Sequence, residues 1–167
     1  GVLARYALRF AEDGSLAEAL PARSRGEVPA GYRYAVYAEE TMRCSDFYNG
    51  AAYLDTMNGA AVEEFLRSTL DRYAEECGDL FGGAIRGVFT DEPHRGRMTP
   101  YTGGLFAAYR EKYGEDLCLP AVYYRRTGET ENETAARYID VLDDLFTRNF
   151  AGKYAAWCKE HGIVFTG

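Results

Sequence analysis

The stretch GVFTDEPH, residues 87–94, decides the predicted architecture because it joins an apolar run to two adjacent carboxylates and a proline. Residues 84–90 are largely apolar on both alternating sets, apart from Arg86. That pattern is typical of a strand covered on both faces of a parallel sheet. Pro93 has no backbone N–H and cannot continue the hydrogen-bonded ladder. We therefore expect Asp91 and Glu92 at the carboxyl end of a buried strand.

A strand and a helix are predicted immediately before this stretch. Residues 53–57 (YLDTM) form a short, mostly apolar segment that suits a strand. Apolar side chains then recur at helical spacing between Val62 and Cys77. Asn58 suits the N-cap of that helix, and Gly78 suits the residue that ends it.

Two helices and a further strand are predicted after the acid pair. Apolar spacing indicates a helix over residues 105–113, stopped by Gly114, and a long helix from about residue 132 to residue 161. Gly162 ends the long helix, and residues 163–167 (IVFTG) open another strand. Strands that alternate with helices in this way are typical of βαβ units in a parallel sheet.

The N-terminal part has a different pattern. Residues 6–10 and 32–39 are predicted to be strands, with a turn at residues 12–15, whereas residues 16–30 hold two prolines and are predicted to be irregular. We predict one domain over residues 1–167, with a β-rich segment (1–44) followed by βα units (45–167). A complete (β/α)8 barrel takes about 250 residues, so the predicted fold class is α/β, a partial TIM-barrel segment with an N-terminal β excursion. A compact open sheet is the alternative.

Composition restricts the partners. The formal net charge of −7 argues against nucleic acid or an anionic membrane surface and favours a neutral substrate. No run of roughly 18 apolar residues predicts a membrane span. The four cysteines form no C-x-x-C pair and are expected to be free thiols. Free thiols favour the cytoplasm. The alternative is that the parent protein, the longer polypeptide of which this chain would be a part, is secreted or periplasmic.

The acids at the predicted strand ends are the candidate site. Ligands of parallel α/β folds bind at this edge of the sheet, where Asp55 and the pair Glu39 and Glu40 are also expected. A carboxyl group partly desolvated by aromatic side chains would have a raised pKa, as a general acid near neutral pH requires. Because side chains alternate along a strand, only one of Asp91 and Glu92 is expected to face the ligand. The alternative is that these acids cap helices and solvate loops.

The sequence also resembles a known family. Its residues 45–167 are similar to the central part of the catalytic barrel in bacterial glycoside hydrolases of family 106, the α-L-rhamnosidases. The stretches that carry the resemblance are YLDTMN (53–58), Phe65 and Tyr73 in the helix, FGGAIRGVFTDEP (81–93), Phe106, YGEDL (113–117) and WCKEHGIVFTG (157–167).

The resemblance implies a glycoside hydrolase that cleaves O-glycosidic bonds, α-L-rhamnosides among them. Glu92 would be the general acid, with Asp55 and Asp91 as sugar-binding or supporting acids. The second carboxylate that such enzymes need would come from a later strand, beyond Gly167, so this chain alone is expected to be inactive. Calcium suits oxygen ligands of this kind, but no calcium-loop pattern is present, and we assign no metal or cofactor.

Two further residues and two rival functions complete the hypothesis. His94 is a candidate for substrate binding, proton transfer or metal binding, or is a solvated loop residue, and Asn58 is a second candidate for substrate binding. The expected partners are an oligosaccharide or glycoside and either the rest of the same barrel or another copy of the chain. One rival is a non-catalytic carbohydrate-binding or scaffold barrel. The other is a metal-dependent barrel hydrolase that uses Asp91, Glu92 and His94.

Overall fold

A computed structural model describes residues 1–96, 99–124 and 132–167. The chain divides into two compact units. The antiparallel-sheet unit comprises Gly1–Cys44 and Leu105–Val141, and the parallel-strand unit comprises Ser45–Gly104 and Leu142–Gly167. No helix in the described ranges is both long enough and apolar enough to cross a membrane.

Three antiparallel strands form the sheet of the first unit: β1 (Val2–Phe10), β2 (Leu16–Pro21) and β3 (Arg33–Ala38), in the order β2-β1-β3. The prediction that residues 16–30 are irregular is wrong, because β2 pairs with β1 in the register Leu8↔Ala19. Pro21 is compatible with this ladder because it stands at the end of the strand, where its missing N–H costs little.

Helices complete the antiparallel-sheet unit. Helix α2 (Leu105–Tyr113) ends where predicted, at Gly114 with φ 73°. Helix α3 (Leu119–Tyr123) was not predicted from the sequence. Its Tyr123 packs edge-on against Tyr37 of β3, with ring centroids 6.1 Å apart. This contact places α3 against the face of the sheet that carries Tyr37.

The parallel-strand unit contains the two strands that pair in parallel. Helix α1 (Gly59–Cys77) precedes β4 (Gly87–Phe89), and helix α5 (Gly152–Glu160) precedes β5 (Val164–Thr166). Strands β4 and β5 pair in the register Val88↔Phe165, and both of these side chains pack on the apolar core. That core is formed by Val62, Leu66, Phe150, Tyr154, Trp157, Cys158 and Ile163.

The long predicted helix is divided in the structure. It begins as α4 (Glu133–Phe146), passes through a π-helical turn over Thr147–Ala151 and continues as α5. Gly162 ends it with φ 68°. The predicted extent was therefore nearly correct, but the pattern of apolar residues gave no indication of the π-helical turn.

Two strand predictions are corrected. Residues 53–57 form no strand, because Asp55 turns the chain into the start of α1. Strand β4 covers only residues 87–89, and only one of its faces is covered: Phe89 is 67% exposed. Val88 packs inward on the core, whereas Gly87, Phe89 and their β5 partners lie on the open face. The fold is mixed α/β, and the described residues form no closed barrel.

Candidate functional site

The acid pair lies directly after β4, as predicted. Thr90 extends the ladder by donating its N–H to Thr166 O at 3.0 Å, and Asp91 and Glu92 follow. Both are exposed, and neither side chain has a hydrogen-bond partner among the described residues. The acids therefore extend beyond the carboxyl end of the strand.

Glu92 has an unusual backbone conformation. Its φ is 45°, in the left-handed region that L residues other than Asn, Asp and Gly rarely adopt. The following residue is Pro93, and the residue before a proline prefers an extended backbone. Such a conformation costs about 1–2 kcal/mol and persists only where the surrounding structure fixes it.

His94 supplies that fixation. Its imidazole stacks on the ring of Tyr53 with centroids 3.9 Å apart and planes 12° apart. The His94 N–H donates to the Tyr53 hydroxyl at 3.2 Å, and the His94 carbonyl accepts from Thr56 Oγ1 at 2.8 Å. His94 Nδ1 accepts from the Gly96 N–H at 3.1 Å, so the proton of the neutral ring is on Nε2. Residue 94 is thus held through its ring, its N–H and its carbonyl.

The next turn of the loop is held by an ion pair. Arg95 pairs with Asp143 of α4. With the contacts of His94, this pair attaches the segment that follows Glu92 to two other parts of the same unit.

Asp55 connects two loops. Its Oδ1 accepts from the Met57 N–H at 3.1 Å, and its Oδ2 accepts from Thr102 Oγ1 at 2.8 Å. Thr102 is only 3% exposed, so its hydroxyl depends on this partner. Each oxygen of Asp55 therefore already has a protein donor.

Asn58 is the N-cap of α1, as the sequence predicted. Its Oδ1 accepts from the N–H groups of Ala60 and Ala61 at 3.1 and 3.3 Å. The carbonyl of the preceding Met57 accepts from Asn149 Nδ2 at 2.6 Å. These contacts fix the start of α1 beside the π-helical turn.

The structure brings some of the predicted site residues together. The segment of Asp55 is joined to that of His94 by the hydrogen bond from Thr56 to the His94 carbonyl. Thr102 donates to Asp55 and attaches a third segment to it. Glu39 belongs to the other unit and Glu40 follows it. Glu92 itself is exposed in this structure. Among residues 1–96, 99–124 and 132–167, no three His, Cys, Asp or Glu side chains are grouped to hold a metal ion.

Sequence reasoning missed the residues that build the site. Tyr53, Thr56 and Thr102 make the hydrogen bonds that hold Asp55 and His94 in place. No local sequence pattern marks them, because their hydrogen-bond partners lie 38 to 47 positions away.

Elsewhere in this unit, burial raises the pKa of Tyr154 to about 12, and the nearby Tyr53 adds a smaller increase. Thr90 Oγ1 is buried without a hydrogen-bond partner in the described structure.

The fold and the strand-end acids define a mixed α/β protein with an exposed carboxylate pair after a parallel strand. Its backbone is similar to the solved structure of a rhamnosidase from Novosphingobium sp. PP1Y, with a TM-score of 0.57 and 21% sequence identity. The likeness covers 94% of this chain and 16% of the rhamnosidase chain. At this identity it shows a shared fold. No protein-family model matches the sequence, and no curated protein matches it.

Proposed function

We propose that this chain is part of the catalytic domain of a glycoside hydrolase and that Glu92 is its general acid. The enzyme would belong with the α-L-rhamnosidases of family 106, the TIM-barrel enzymes that the sequence resembles. Asp91 and Asp55 would support the sugar or the acid. The fold that the chain shares with a rhamnosidase supports the proposal.

The observation that carries the proposal is the conformation of Glu92. A glutamate in the left-handed region, directly before a proline, is less stable than an extended one. No contact of the Glu92 side chain offsets this strain, because the side chain is exposed and has no hydrogen-bond partner among the described residues. Strained residues that are held by their neighbours cluster at active sites, and here the stack of His94 on Tyr53 holds the strained segment.

The open face of the parallel pair supports a larger barrel. Phe89 and Val164 are 67% and 63% exposed, and both lie on the same face of the strands. Additional strands of the same polypeptide would cover this face and surround Glu92 with less polar groups. They would also supply the second carboxylate, nucleophile or base, that glycoside hydrolysis requires.

Carbohydrate binding without hydrolysis is the second candidate function. The exposure of Glu92 in this chain favours it, because the catalytic acids of enzymes are commonly partly buried in their sites. A protein of this kind would bind the same sugars and turn over none of them.

The Glu92→Gln variant separates these functions because it keeps the shape of the side chain and removes the acid. Hydrolysis would be measured for the parent protein and the variant on aryl rhamnosides, other aryl glycosides and natural glycosides. We expect a loss of about 100- to 10,000-fold on natural glycosides. The loss should be smaller on aryl glycosides with good leaving groups, which need little protonation.

Asp91→Asn is the matched control, since it neutralises the adjacent exposed acid. It should retain more activity on natural glycosides than Glu92→Gln. Equal activity of the parent protein and Glu92→Gln would remove the general-acid assignment. Sugar binding with no hydrolysis by the parent protein would favour the second function.

A further inference from the structure

The loop of residues 45–51 holds an aromatic ring out in solvent. Ser45 and Ala51 form an antiparallel bridge at its base, and Ser45 Oγ accepts from the Phe47 N–H at 3.2 Å. A 3-10 turn spans Asp46–Tyr48, and Asn49 follows it in the left-handed region at φ 54°. Phe47 is 85% exposed. The loop therefore has a defined backbone and presents a large apolar side chain that does not contribute to the core.

Phe47 is the first of four rings in contact. Its centroid lies 5.0 Å from that of Tyr48 in an edge-on arrangement, and Tyr48 lies 5.4 Å from Tyr53. Tyr53 stacks on His94 at 3.9 Å, and His94 is two residues beyond Glu92. The exposed ring is thus connected, through packed side chains of one unit, to the loop that bears the candidate acid.

Phe47 follows an exposed acidic residue in the loop. The neighbouring Asp46 is exposed, and its carboxylate has no hydrogen-bond partner in the described part of the chain. The whole sequence has a net charge of −7, which disfavours an anionic ligand. A pyranose has an apolar C–H face that suits an aromatic ring and hydroxyl groups that suit a free carboxylate.

We propose that Phe47 and Tyr48 form a sugar-binding platform for a neutral pyranose unit of the glycoside, away from the bond that is cleaved. The inference rests on the proposed function, since it assigns the ligand class from the same chemistry. Phe47 would stack on the C–H face of the sugar, and Asp46 would accept hydrogen bonds from its hydroxyl groups.

The test measures binding without turnover. Short neutral oligosaccharides, some containing rhamnose and some only glucose, would be titrated calorimetrically into the parent protein that carries Glu92→Gln. We expect Phe47→Ala to weaken binding about three- to tenfold, and Phe47→Trp to retain it. Tyr73→Ala is the matched control, because Tyr73 is a 63% exposed ring on α1 outside the ring series. It should leave the affinity unchanged.

Three outcomes would overturn the platform. These are an unchanged affinity of Phe47→Ala, no binding of the oligosaccharides at all, and an effect of Phe47→Ala on self-association in sedimentation alone, which would make the ring a contact between copies. None of these depends on hydrolysis. Failure of the platform is therefore distinguishable from failure of Glu92 as the acid, which is judged by the turnover of the parent protein.

Discussion

The imidazole of His94 lies parallel to the ring of Tyr53, and the Tyr53 hydroxyl accepts a hydrogen bond from the His94 N–H at 3.2 Å. One tyrosine therefore fixes both the ring and the backbone of a residue two positions beyond Glu92. These contacts fix the backbone shortly after the left-handed Glu92.

Tyr53→Phe should separate the hydrogen bond from the stack. The variant retains the stacked ring and loses the acceptor of the His94 N–H. We expect the free energy of unfolding to fall by about 0.5–1.5 kcal/mol, measured by urea denaturation. Tyr73→Phe, at an exposed ring, is the control and should change it little. Equal stabilities of Tyr53→Phe and the unsubstituted chain would show that water replaces the tyrosine hydroxyl.

Acid should weaken the sheet of the antiparallel-sheet unit through Glu18. The hydrogen bond from the Tyr32 hydroxyl, and then the one from Arg9, hold the pKa of Glu18 below its ordinary value. A carboxyl group whose pKa is lowered on folding stabilises the protein above its unfolded-state pKa, and this contribution is lost as the pH falls through the folded-state pKa. The pH range over which this stabilisation is lost therefore lies below about 4.5.

Glu18→Gln should remove this pH dependence. The variant should be less stable than the unsubstituted chain near neutral pH, and the difference should shrink as the pH falls below about 4.5. Urea denaturation from about pH 7 to about pH 3 measures it. Glu12→Gln is the control, since Glu12 is exposed and has no hydrogen-bond partner among the described residues. A constant difference at all pH values would contradict the assignment to Glu18.

Local signals predicted most of the helices. Asn58 caps α1, and Gly114 and Gly162 end their helices in the left-handed region. These features depend on neighbouring residues, so the sequence displays them directly. The π-helical turn before α5 depends instead on packing, because Asn149 donates to the Met57 carbonyl 92 positions away.

Long-range contacts determine what the sequence could not predict. β2 was missed because the two prolines of residues 16–30 suggested irregular structure, whereas hydrogen bonding to the partner strand β1 decides its conformation. The predicted strand over residues 53–57 failed because Asp55 bonds locally to Met57 and distantly to Thr102. The position of Glu92 at a strand end followed from the apolar run and Pro93, but its left-handed backbone did not.

Gly87→Ala should destabilise the parallel pair. A Cβ at Gly87 would lie 2.6 Å from Val164 O and 2.8 Å from Val164 Cγ2, so the strands would have to separate. We expect a loss of about 1–3 kcal/mol in the free energy of unfolding. At Gly103 a Cβ would meet no atom within 4 Å, so Gly103→Ala is the control in the same unit. Thermal unfolding that places both variants at one midpoint would contradict the close approach of β4 and β5.

The cysteines should differ in reactivity. Cys158 is 1% exposed, and burial raises the pKa of its thiol, whereas Cys44 is exposed. Because the thiolate is the reactive form, Cys158 should react with a disulfide reagent on the order of a hundredfold more slowly than Cys44, through local opening. Peptide mapping of timed samples would identify each thiol, and Cys44→Ser should remove the fast phase. Similar rates for both thiols would mean that the core around Cys158 opens readily.

Two substitutions at Asp55 separate a structural role from a role in sugar binding. Asp55→Ala leaves the Met57 N–H and the Thr102 hydroxyl without their acceptor, so we expect a loss of about 2–4 kcal/mol in the free energy of unfolding. Asp55→Asn can still accept from the Met57 N–H and can donate to Thr102 Oγ1, so its stability should stay within about 1 kcal/mol.

If Asp55 also contacts the sugar, Asp55→Asn should lower the hydrolytic activity of the parent protein while the fold stays intact. Activity and urea denaturation would be measured on the same preparations. Full activity of Asp55→Asn would show that the carboxylate serves only to join the loops that carry Met57 and Thr102. The negative charge at residue 55 would then have no part in the chemistry, and Asp91 would remain the candidate that supports Glu92.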